Sequence, residues 1–79
     1  MKLEVGQIIS HYCSFPPQKE EEMDRHLILS VDEEWLETYV LFTNWPEGPH
    51  RVGELQQILV STIDSEEDTP NNFYWKIIS

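Results

Sequence analysis

Apolar positions fall in five runs, separated by breaks that are acidic or carry proline and glycine. The first run is Val5 to Phe15, with Ile8, Ile9, Tyr12 and Cys13 inside it, and its β-branched and aromatic content predicts a strand. Pro16-Pro17 ends that strand, because proline cannot donate to a ladder, and Gln18 to Asp24 follows as a charged loop. Arg25 to Val31 is the second strand, Asp32-Glu33-Glu34 a turn, and Glu37 to Thr43 the third strand, so the pair forms a hairpin. Asn44 to Arg51 reads as a loop, since Pro46, Gly48 and Pro49 crowd into it. Leu55 to Ile63 predicts a fourth strand, although Glu54-Leu55-Gln56-Gln57 is also compatible with a first helical turn. Asp64 to Asn72 is a polar loop, and Phe73 to Ile78 closes the chain as a fifth strand.

Short strands at this spacing predict an all-β domain, a small five-stranded antiparallel SH3-like barrel over residues 1–79. The alternative is an α+β domain with a helix near residues 52–59. In an up-and-down meander, successive connections alternate between the two ends. The turn at 32–35 and the loop at 64–72 would then share one end, gathering Asp32, Glu33, Glu34, Glu37, Asp64, Glu66, Glu67 and Asp68 there. Glu20, Glu21, Glu22 and Asp24 would lie at the other end, with the loop from Trp45 to Arg51.

Composition narrows the function. The chain has 79 residues, 15 acids against 5 Lys plus Arg, and a formal net charge of −10. A bare nucleic-acid-binding module neutralises phosphates with Lys and Arg, which are scarce here. No apolar stretch approaches the roughly 20 residues that span a bilayer. Met1 to Val5 lacks the apolar core of a signal peptide, and the lone Cys13 has no internal partner, so a cytoplasmic location is expected. A hydrophobic fraction of 39% excludes an unfolded acidic tail. A core of this size contributes only about 3–5 kcal/mol, which makes partner binding or self-association an expectation.

The acidic clusters carry the leading functional reading. A net charge of −10 exceeds the magnitude of roughly 2–8 that solubility asks of a small domain. A rigid anionic surface can occupy the basic groove of a protein that binds phosphates. The expectation is a non-enzymatic acidic module that binds a basic protein surface, an inhibitor that mimics nucleic acid, with Trp35 and Trp45 as anchors. Trp75 is expected in the core. Apolar residues on both faces of several strands, such as Tyr39 and Leu41 against Val40 and Phe42, add a structural or regulatory dimer as a third reading. No cofactor is expected. His11, Cys13, His26 and His50 are the residue types of a zinc site or a Cys–His pair, but His11-x-Cys13 is not a usual ligand pair, no Cys-x-x-Cys exists, and Asp32-Glu33-Glu34-Trp35 lacks the spacing of an EF-hand loop, so no metal is expected.

One pattern points to a family. Gly6-Gln7-Ile8-Ile9, Phe15-Pro16-Pro17, Arg25-His26-Leu27-Ile28-Leu29-Ser30 and Val40-Leu41-Phe42-Thr43 together resemble the opening of MazF/PemK-like toxins, with His26 where that pattern has a proline. The resemblance spans residues 6–43. It implies an SH3-like barrel, dimerisation and metal-independent RNA cleavage, with Arg25 and Thr43 in the catalytic positions. An arginine there would stabilise charge on phosphate, and a threonine hydroxyl would hydrogen-bond the phosphate or 2′-OH. By size and charge alone the chain also resembles small acidic phage-encoded inhibitors of the anti-CRISPR and antirestriction type.

Overall fold

The computed structural model describes residues 2–14, 19–48, 50–68 and 72–79, with the side chains of 65–68 left out. Its elements, in chain order, are β1 (Ile8–Cys13), β2 (Glu21–Val31), β3 (Trp35–Thr43), β4 (Leu55–Leu59), α1 (Val60–Asp68) and β5 (Phe73–Ile77). All pairings are antiparallel, in one five-stranded sheet of order β4-β3-β2-β1-β5. The fold is all-β and fits a small SH3-like barrel whose sheet stays open between its edge strands β4 and β5. No helix among the described residues is long and apolar enough to cross a membrane.

The inner face of the curled sheet carries the core: Ile9 from β1, Ile28 from β2, Leu36 from β3, Ile58 from β4 and Trp75 from β5. Period-2 alternation explains the choice, since Leu36, Thr38 and Val40 are buried while Tyr39 and Leu41 are exposed. Helix α1 lies across the open edge, packed on β5 and β4. Its Ile63 is fully buried and Val60 packs beside it, one helical turn apart on the same face. A loop there would leave the end of the core wet; the helix caps it with two apolar side chains.

Three expectations need correction. The fourth strand stops at Leu59 and does not continue to Ile63, and the helix covers 60–68, not 52–59. The ladder supplies the reason: Leu59 pairs with Trp35, the first residue of β3, so residue 60 has no strand partner left. The chain then satisfies its backbone within a helix, and Val60 N–H donates to the Glu34 carbonyl at 2.9 Å. The charged loop expected over 18–24 is strand from Glu21 onward, because β1 offers partners there, with Cys13 opposite Glu21 and His11 opposite Asp24. Phe15, Pro16, Pro17 and Gln18 lie outside the described residues, as do 69–71.

The third correction concerns the acids. The connection from β4 to β5 starts beside the 32–34 turn, through the Val60–Glu34 bond, and ends beside the last residues of β1, where Ser14 N–H donates to the Asn72 carbonyl at 2.8 Å. Helix α1 therefore starts at one end of the barrel and β5 starts at the other. The connection does not join the 32–35 turn at one end, because β5 pairs with β1 and not with β4.

Ile63→Ala should cost about 2–5 kcal/mol in urea unfolding, the range for truncating a buried aliphatic side chain, while Ile78→Ala at an exposed position should cost under about 1 kcal/mol. Equal losses for the two would show that α1 does not close the core.

Candidate functional site

The inner face is not wholly apolar. Asp24 and His26 alternate on β2, and both side chains turn inward and are buried. His11 stands opposite Asp24 on β1, and Thr38 comes from β3. His50 reaches the same place from the loop between β3 and β4. Ordinary strand alternation turns Arg25 outward and His26 inward, and the ladder takes up one extra residue, Leu41, on the β3 side at this point.

The geometry is tight. His26 Nε2 donates to Asp24 Oδ2. A carboxylate can only accept, so Nε2 holds the proton, and in the neutral ring Nδ1 is an acceptor for the Thr38 hydroxyl at 3.0 Å. His11 Nδ1 lies 3.6 Å from Asp24 Oδ1, and its ring stacks on Trp75 at 4.3 Å between centroids. The His50 ring stands edge-on to His26 at 5.1 Å. Burial pushes the Asp24 carboxyl up, but hydrogen bonds from His11 and His26, with their attraction, outweigh it and hold the group well below the usual carboxylate range. Burial lowers His50 below the ordinary imidazole value. The cluster opens on one side to a groove of about 320 Å³ bordered by His11, His50, Trp75, Trp35 and Thr62.

The outer face holds a second network. Arg25 is bidentate on Glu22, with Nη2 at 2.6 Å and Nε at 3.0 Å, and its guanidinium lies over the Phe42 ring. Ser10 Oγ also donates to Glu22. The Arg25 hydrogen bond lowers Glu22, and Glu22 raises Arg25 in return. Thr43 is elsewhere: it stands opposite Asp24 in the ladder, whereas Phe42 stands opposite Arg25. Directly opposed residues share a face, so Arg25 and Thr43 lie on opposite faces of the sheet. The Thr43 hydroxyl accepts the Trp45 backbone N–H at 3.1 Å. The structure thus keeps apart the two residues that the resemblance pairs.

The remaining acids divide among three places. Asp32, Glu33 and Glu34 are exposed in the β2–β3 turn, which the Asp32 N–H closes on the Trp35 carbonyl at 2.8 Å. Trp35 is 43% exposed beside them, and Asp32, Trp35 and Glu37 border one depression of about 380 Å³. From His26 to His50 the chain has no Lys or Arg. None of these four carboxylates forms an ion pair with a described residue. At the far end, Glu21 and Trp45 border a different depression with Phe73. Trp45 covers Gly48 so closely that a Cβ there would come within 2.9 Å of its ring. Glu20 is engaged by Tyr74 and by Lys76, and Glu22 by Arg25. Asp64 is half-buried on α1, and the side chains of Glu66, Glu67 and Asp68 lie outside the description.

Sequence reasoning reached the acids and tryptophans at the turn, and it grouped His11, His26 and His50 with Cys13 before setting them aside, but it missed Asp24 as the group that joins the histidines. The available signal was Asp24-x-His26, two polar residues at strand period, concealed once Asp24 was assigned to a loop. No protein-family profile, curated protein or solved structure matches the chain.

His26→Leu should cost about 3–5 kcal/mol, because it strands a buried carboxylate, whereas Arg25→Ala should cost at most about 1 kcal/mol at a partly exposed pair. Urea midpoints of the two variants measure the difference.

Proposed function

We propose that this chain is a non-enzymatic protein-binding module that presents its β2–β3 turn to a basic surface on a nucleic-acid-binding protein. It acts as an inhibitor that occupies the place of a phosphate backbone, in the manner of anti-CRISPR and antirestriction proteins, in the cytoplasm. The observation that carries the reading is the turn itself. Asp32, Glu33 and Glu34 sit exposed on a hairpin, with Glu37 and the half-exposed Trp35 next to them and no described cation paired to any of the four carboxylates. The closed hairpin fixes the backbone that carries these carboxylates, so binding does not have to order the turn itself. They steer a cationic partner from a distance, and Trp35 supplies the buried anchor that charge alone lacks. Glu20 and Glu22, already engaged by the chain's own Lys76 and Arg25, contribute less to this surface.

The outer face favours a dimer as a second reading. Ile8, Leu27, Tyr39 and Leu55 stand in one register row across four strands, and Leu55 is 61% exposed. The two readings differ in the sign of their salt dependence. Attraction to a basic partner weakens with salt, while association of two chains of charge −10 strengthens as repulsion is screened. The ribonuclease reading would need Arg25 to leave Glu22 and to meet Thr43 from the other face of the sheet.

Replacing Asp32, Glu33 and Glu34 together by Lys should reduce capture of a nucleic-acid-binding protein from host lysate by about tenfold or more at about 0.05 M salt, with most of the wild-type signal lost by about 0.5 M. Capture unchanged by the triple variant, or RNA cleavage by the purified chain that Arg25→Ala abolishes, would overturn the proposal. Light scattering at both salt concentrations reads the dimer.

A further inference from the structure

We infer that Asp24, His26 and His50 form a binding site for a divalent transition-metal ion of the Zn²⁺ type, with its open coordination position facing the groove. One ligand atom from each of the three residues lies within 4.8 Å of the other two. Two ligands of one tetrahedral zinc stand roughly 3.3 Å apart when the bonds are about 2.0–2.2 Å, so a small inward movement of the His50 loop completes the site. Two imidazoles and one carboxylate suit zinc, and three protein ligands leave a fourth position for water or an anionic ligand.

Asp24 and His26 already meet, and the His50 ring stands beside them. His50 Nδ1 is buried with no hydrogen-bond partner, while Gln56 hydrogen-bonds the same side chain. That leaves Nδ1 as the unpartnered ring nitrogen available to an ion, with Gln56 beside the ring. His26 has the complementary arrangement, with Nε2 toward Asp24 and Nδ1 toward Thr38. The ion would take the place of the proton now shared between His26 Nε2 and Asp24. That proton moves to Nδ1, where it is donated to the Thr38 hydroxyl oxygen, so the neutral imidazole exchanges one tautomer for the other and no net proton is released. His11, His50 and Trp75 border the groove beside the cluster.

The test uses the full chain, freed of metal with a chelator and titrated with ZnCl₂ by calorimetry, with Co²⁺ absorption as a second readout. The expected result is one ion per chain, a raised unfolding temperature and Co²⁺ absorption of tetrahedral intensity. His50→Ala sits on a half-buried loop residue and should leave the fold intact, as circular dichroism checks, yet weaken binding by about a hundredfold. Gln56→Ala should weaken it by about 10–100-fold. Cys13→Ser should change nothing. Absence of binding at about 100 μM Zn²⁺, or binding unaffected by His50→Ala in the folded protein, would overturn the site.

Discussion

The fold is organised around a carboxylate that is out of water. Asp24 is buried inside a domain with little apolar mass to spare, and removing an ion from water costs several kcal/mol unless partners replace the lost hydration. His11 and His26 are those partners. They come from two strands, so the Asp24 contacts also set the register of β1 against β2: a slip by one residue would send Asp24 outward and Glu22 or Met23 to another face. Thr38 extends the same constraint to β3 through His26. Trp75, stacked on His11, extends it to β5. A polar chain of contacts thus ties four of the five strands together, while the Ile9, Ile28 and Leu36 layer supplies the apolar free energy.

Charge is handled differently on the two sides of the sheet. Inside, a single carboxylate is matched by histidines. Outside, Glu20 and Glu22 are matched by Lys76 and Arg25, which are two of only five cationic residues in the chain. The acids at the β2–β3 turn have no such partners among the described residues, so their charge is not offset locally.

Much of the fold was legible in the apolar runs, because strand periodicity and punctuation by turn residues are local. All five strands and the hairpin at Asp32–Glu34 follow from them. What was not legible depended on partners. The end of β4 is set by where β3 begins, which no window around Val60 contains. The start of β2 is set by β1, which turns an acidic segment into strand once its charges have somewhere to go. The interior cluster is the extreme case. Its members come from β1, β2 and a proline-bearing loop, and only the assembled register brings His11, Asp24, His26 and His50 together. The turn acids and Trp35 were legible because one short segment carries them all.

The pairing of β1 with β5 has a consequence for how the chain reaches this state. Ile9 faces Ile77 and Ile8 N–H donates to the Ser79 carbonyl, so the strand nearest one terminus waits for the strand nearest the other. The β1–β2–β3–β4 meander consists of local pairings that can form early, whereas docking of β5 closes the longest loop in the molecule. Trp75 arrives with that last strand. Until it does, His11 lacks its stacking partner, so the contacts of Asp24 with His11 and His26 are fully covered only at the final step of assembly. A chain stalled before that step would display an open sheet edge on β1 and an intact acidic turn, with the interior around Asp24 not yet covered.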